Sequence, residues 1–222
     1  MRRVIQHGWQ KAQSYDLTPE CCVRSYIDLM CLLGGEFDID LLLPWAAEIL
    51  IDRSSSDQVA RGDRLYHRSW VYIINIIPDY RDADGKPTTA RFVSEMRKLR
   101  DLPDDFLTAD ATPDFSRKLA QWIEWMFPAK YRYVGEQAVS QLILTGKATA
   151  AGYGITGVRG ITVVIMFMFV IGRGFVDDPL APWASTTLND MNIADSNRGD
   201  ALYKQGVGFL RRWWDSAPAQ ER

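Results

Sequence analysis

DLLLPWAAEIL at residues 40–50 returns, altered, as DPLAPWASTTL at residues 178–188. Sliding residues 12–50 onto 150–188 without a gap gives 13 identities in 39 positions, where chance supplies roughly two or three. The matches are Ala12/Ala150, Tyr15/Tyr153, Thr18/Thr156, Ile27/Ile165, Met30/Met168, Gly34/Gly172, Phe37/Phe175, Asp40/Asp178, Leu42/Leu180, Pro44/Pro182, Trp45/Trp183, Ala46/Ala184 and Leu50/Leu188. After a one-residue deletion the register resumes, with ARGDRLYHR at 60–68 against NRGDALYKQ at 197–205. Two copies of one supersecondary unit explain the pattern: repeat 1 over about 3–77, a unique connector over about 78–140 and repeat 2 over about 141–214, within a single domain of 222 residues.

Each copy reads as helices. A short polar helix leads to Tyr15-x-Leu17-Thr18 or Tyr153-x-Ile155-Thr156, where the threonine is placed to cap the next helix. That helix, Val23 to Leu33 or Ile161 to Ile171, is apolar almost all round, as the centre of a bundle requires. Gly34 and Gly172 stop it, because glycine reaches the left-handed geometry of a helix C-terminus without strain. Pro44 and Pro182 suit the first turn of the following helix, where a missing N–H costs little, and Trp45 and Trp183 are set to turn inward as anchors. Arg-Gly-Asp-x-Leu-Tyr opens the last helix, with Asp63 or Asp200 in its first turn complementing the helix dipole.

The connector is read separately. PDYRDADGKP is a loop with Asp84-Gly85 as its turn signal, and RFVSEMRKLRDL is a short helix with Phe92, Met96 and Leu99 on one face. FSRKLAQWIEWMF carries Phe115, Leu119, Trp122, Ile123 and Met126 at helical spacing and is the clearest amphipathic helix of the chain. VYIINII at 71–77 has strand composition but continues a helical pattern from Leu65. The fold class is all-α: a helical bundle built from an internal duplication with a unique connecting segment.

Composition narrows the function classes. A net charge of −2 and a pI near 5.7 provide no basic field for nucleic acid. The apolar run ITVVIMFMFVI at 161–171 is about half of the roughly 20 residues that span a bilayer. Cys21, Cys22 and Cys31 are odd in number and crowded into one apolar segment, so they are expected to be buried, reduced thiols. The N-terminus has basic residues but no apolar block or cleavage site of a signal peptide, so the expected location is the cytoplasm.

Catalytic signatures are missing. Asp38, Asp40, Asp177 and Asp178 invite a two-carboxylate or divalent-cation site, but Asp is a preferred cap and turn residue, and no alternating run of oxygen ligands accompanies them. His7 and His67 have no ligand partner at metal spacing and are replaced by Thr145 and Lys204 in the other copy. The two RGD tripeptides match an adhesion motif, yet a helix start explains both. No nucleophile elbow, phosphate-binding glycine loop or zinc-protease motif occurs. The reading is a protein that is not an enzyme and carries no cofactor and no metal.

One segment differs in kind. From Asp101 to Phe115 there are five carboxylates, Asp101, Asp104, Asp105, Asp110 and Asp114, and no basic residue. A solvated loop accounts for this. Alternatively, these five residues with Phe106 and Leu107 form a partner-binding surface, the charges steering a basic partner and the apolar pair supplying desolvated contact.

The twice-used pattern, Tyr-x-Ile/Leu-Thr, an apolar helix ending at Gly, Phe-x-x-Asp and Pro-Trp-Ala, resembles small proteins encoded beside toxin effectors of bacterial type VI secretion systems, cognate immunity proteins among them. That resemblance implies a cytoplasmic protein that binds one toxin and blocks its active site. An effector-loading adaptor or chaperone, or an enzyme of unrecognised type, are the alternatives; a cleft gathering Asp38, Asp40, Asp177, Asp178 and a histidine would favour the enzyme.

Overall fold

The computed structural model describes residues 2–54, 57–80 and 113–215. All regular structure among them is helical. The first four helices are α1 (Arg2–Ser14), α2 (Glu20–Leu33), α3 (Pro44–Ile51) and α4 (Gln58–Ile76), with 3-10 turns at Phe37–Ile39 and Ile77–Tyr80. Two connector helices follow, α5 (Pro113–Met126) and α6 (Pro128–Val134). The last four are α7 (Glu136–Gly152), α8 (Val158–Val170), α9 (Pro182–Leu188) and α10 (Asp195–Asp215). VYIINII is helical as far as Ile76, so the strand composition yields to the pattern begun at Leu65.

Several helix boundaries fall where the sequence puts them. Pro44 and Pro182 occupy the first position of α3 and α9. Gly34 and Gly172 have φ of 105° and 129°, in the region that side chains disfavour. They also meet: a Cβ on Gly34 would stand 2.7 Å from the carbonyl oxygen of Ile171, and one on Gly172 3.2 Å from that of Leu33. Only glycine lets the two chain turns approach this closely.

Two boundaries are corrected. Thr18 does not cap α2; its N–H and hydroxyl both donate to the Gln58 side-chain oxygen, and α2 and α8 begin after Pro19 and Gly157 without a side-chain cap. Tertiary recruitment by α4 wins over local capping. Asp63 and Asp200 lie in the second turn of their helices, not the first, because α4 starts at Gln58 and α10 at Asp195. For α4 the cause is Asp57, whose carboxylate accepts the N–H groups of Val59 and Ala60 at 2.9 and 3.0 Å and so starts the helix earlier.

Three packing pairs occur twice. In the first half α1 lies on α2, α2 on α4 and α3 on α4; in the second, α7 lies on α8, α8 on α10 and α9 on α10. Packing detail repeats as well. A Cβ on Gly8 would strike Ile27 and Met30, and one on Gly146 would strike Ile165 and Met168, each residue 138 positions from its counterpart. Each half has its own apolar core, the first around Tyr26, Leu29, Met30, Phe37 and Trp45, the second around α8. Burying each such side chain is worth roughly 1.5–3 kcal/mol.

The central helices are unequal. Every residue from Thr162 to Phe169 of α8 is buried, whereas α2 buries one face, Cys22, Tyr26, Leu29, Met30 and Leu33, and leaves Cys31 and Leu32 in solvent. The expectation of a helix apolar on every side thus holds for α8 and not for α2. The reason is coverage: the connector helices reach α8, where the Phe127 ring packs on Phe169 at 5.5 Å between centroids and Lys130 donates to the Phe169 carbonyl. No helix among the described residues is long and apolar enough to cross a membrane.

Candidate interaction surface

Three of the four aspartates singled out in the sequence, Asp38, Asp40 and Asp178, are held by the scaffold. The Asp40 carboxylate accepts the Leu42 N–H at 2.8 Å through one oxygen and the Arg173 N–H at 2.9 Å through the other. The Asp178 carboxylate accepts the Leu180 N–H at 2.7 Å and the Gly35 N–H at 2.7 Å. Each therefore ties its own turn and reaches across to the opposite half. Burial pushes both carboxyls above the ordinary aspartate range, opposed by these N–H donors. Asp38, fully buried, accepts the Tyr15 hydroxyl at 2.8 Å and the Lys11 ammonium at 3.2 Å. Asp177 makes no bond to any of them. His7 lies near enough to Asp178 to hold its carboxyl down slightly, but no group of three or more His, Cys, Asp or Glu able to hold a metal occurs among the described residues.

The RGD arginines were not singled out, and they are structural keys. Arg61 is buried and donates to the carbonyls of Tyr15 (2.6 Å), Asp16 (3.1 Å) and Asp52 (3.3 Å), fastening the end of α1 to α4. Arg198 donates to the carbonyls of Tyr153 and Ile193 in the second half. Their signal was present in the sequence: both lie in the resumed register, opposite the paired tyrosines. An arginine committed to internal carbonyls cannot serve as an adhesion tripeptide. The cysteines also depart from expectation, since only Cys22 is buried while Cys21 and Cys31 are exposed; all three are free thiols.

Lys130 has no sequence signal at all. It is buried on α6, donates from Nζ to the Phe169 carbonyl, and sits over the Phe169 ring at 4.6 Å from its centroid. The N–H groups of Ala129 and Lys130 donate to the Asp79 carboxylate at 3.0 and 2.6 Å, which anchors the connector helices to the end of α4. Burial pushes the ammonium down to about 8, with Asp40 and Asp79 acting in the opposite direction.

On α4, Val59, Tyr66, Trp70 and Ile74 are all exposed at spacings of seven, four and four, forming one apolar stripe. The rings of Tyr66 and Trp70 meet edge to face at 6.2 Å, so the stripe presents an ordered aromatic pair rather than loose side chains. Beside it lies an open depression lined by Ile49, Asp63, Arg64, His67 and Arg68. An aromatic stripe flanked by arginines has the composition of protein-binding hot spots.

Of the sequence-derived partner residues, Asp101, Asp104, Asp105, Phe106, Leu107 and Asp110 lie outside the described residues. Asp114 is described: it opens α5 and pairs with Arg117 and, at 2.9 Å, with Lys118 of the same helix. These partners hold its carboxyl below the usual aspartate range. Its charge is therefore already answered within its own helix. No protein-family model matches the chain, and neither a curated protein nor a solved structure matches it.

Proposed function

We propose that this chain is a non-catalytic binding protein: a cytoplasmic immunity factor that neutralises a cognate antibacterial toxin of the type VI secretion class by blocking its active site. The observation that carries the reading is the exposed α4 stripe, Tyr66, Trp70 and Ile74, beside Arg64, His67 and Arg68. Large apolar and aromatic side chains exposed in an ordered row are stable in water only at a cost, which a protein partner removes by desolvation. The employment of Asp38, Asp40 and Asp178 in internal bonds supports the same reading, since each is committed to the scaffold. We also propose that the scaffold arose by duplication, which the paired contacts of Gly8 and Gly146 and of Arg61 and Arg198 support.

The test is co-expression with the product of the neighbouring gene, followed by co-purification and size-exclusion chromatography. A stable complex that is lost in Trp70→Ala supports the reading, and no complex with the wild-type chain refutes it. The same stripe also suits an effector-loading adaptor. An adaptor leaves its bound toxin active, whereas an immunity factor does not.

A further inference from the structure

The two halves differ in what covers the first helix of each. In the second half α5 packs against α7: Lys147 of α7 donates to the Ser116 hydroxyl at 2.9 Å and lies over the Phe115 ring at 4.8 Å, one turn beyond the buried Ile143. Their counterparts 138 positions earlier are Trp9 and Ile5 on α1. Both are half exposed, at 47% and 49%, although Ile143 is 1% exposed. The neighbouring face of α1 is used in the same way as that of α7, with Val4, Gly8 and Ala12 buried as Leu142, Gly146 and Ala150 are. Among the described residues α2 is the packing partner of α1, and no described helix stands where α5 stands on α7.

We propose that the Arg2, Ile5 and Trp9 face of α1 is a docking surface for an acidic amphipathic helix of a partner protein, laid on α1 as α5 is laid on α7. The spacing of three and then four residues puts these side chains on one face. The internal precedent sets the kind of occupant: α5 is an amphipathic helix that contributes Phe115, Leu119 and Ile123 to the core. Charge sets its sign. Helix α1 has no acidic residue, and while Lys11 is paired with Asp38, neither Arg2 nor Arg3 pairs with a carboxylate among the described residues. The positive end of the helix dipole adds to the same field. A second copy of this chain would bring the same uncompensated arginines and is disfavoured by repulsion. A membrane is a poorer fit, because the other face of α1 is committed to the core and only two large apolar side chains remain for lipid.

This surface is separate from the α4 stripe and does not depend on the partner being a toxin. The probe is a fluorescent peptide of residues 113–127 carrying Arg117→Glu and Lys118→Glu, cross-linked across its polar face to hold the helix, titrated by anisotropy with the full chain. The acidic peptide is expected to bind, the peptide with native Arg117 and Lys118 to bind about tenfold more weakly, and Trp9→Ala or Ile5→Gln in the full chain to weaken binding by about tenfold or more. Trp70→Ala, on the other stripe, should leave it unchanged. Circular dichroism of each variant separates loss of binding from loss of fold, and because Trp9 and Ile5 are half exposed both variants should fold. No binding of the acidic peptide, or binding indifferent to Trp9 and Ile5, overturns the proposal. So does a Trp9-dependent dimer in size exclusion, or Trp9-dependent sedimentation with phosphatidylserine-containing vesicles without peptide binding. Failure here leaves the toxin complex on the α4 stripe standing, and failure of that complex leaves this result standing.

Discussion

Asp40 and Asp178 make the same bond in opposite directions. Asp40 accepts the N–H of Arg173, and Asp178 accepts the N–H of Gly35, the positions 40 and 178 being 138 apart, as are 35 and 173. The contact is self-complementary, as at a twofold interface between separate subunits. An asparagine at either site can accept only one of its two N–H donors and turns an amide N–H₂ toward the other. Asp40→Asn and Asp178→Asn are each expected to cost about 1–3 kcal/mol in urea unfolding, and the double variant to deviate from the sum, because both bonds hold one interface. Unchanged midpoints for both would show that this clasp is not what joins the halves.

Trp45 is buried, and Trp183 is half-buried against Phe167, Phe175 and Phe209, with ring centroids 5.5, 6.2 and 5.7 Å away. Trp45→Ala is expected to cost about 3–5 kcal/mol and Trp183→Ala less, since its site opens partly to solvent. Neither indole N–H has an acceptor among the described residues, so phenylalanine at either position should restore most of the loss. Chemical denaturation of the four variants tests the ranking.

The buried Lys130 ammonium gives a signed pH dependence. Its pKa is held down to about 8 in the folded chain, against 10.5 for the ordinary side chain. Between those values the unfolded chain binds more protons than the folded one, so stability rises with pH across that window. The penalty is fully present below about 8. The difference between wild type and Lys130→Met should therefore change by on the order of 3 kcal/mol between pH 8 and 10.5. A constant difference across the window would mean that the ammonium is not desolvated.

Much of this architecture was legible in the sequence, and the reasons are local. Pro44, Pro182, Gly34 and Gly172 act through their own backbone geometry, and the spacing of Phe115, Leu119 and Ile123 marks α5 without reference to anything distant. Thr18 defeats a local reading because Gln58, forty residues away, takes its donors. Lys130 and Asp79 were invisible because their meaning lies in contacts across the fold. The sequence repeat marks which positions correspond but not how the halves face each other, so from sequence Asp40 and Asp178 look like caps of their own loops. That is half of what they do. The bare faces of α1 and α4 could not be read either, because an amphipathic pattern does not say which apolar side chains a fold leaves uncovered.

The acidic connector keeps its own test. Replacing Asp101, Asp104, Asp105 and Asp110 by asparagine should slow association with the toxin and reduce its dependence on salt. Stopped-flow association at two ionic strengths measures this. Unchanged rates would leave recognition to the α4 stripe.

The central claim is neutralisation by occupancy rather than by chemistry, and a titration of the cognate toxin's activity tests it most directly. With toxin held well above the dissociation constant, residual activity should fall linearly as the protein is added, reach zero at a fixed stoichiometric equivalence, and return when the complex is dissociated. Loss of activity at far less than one equivalent, or loss that persists after the protein is removed, would reveal an enzyme acting on the toxin. Full activity at saturation would contradict the immunity reading outright.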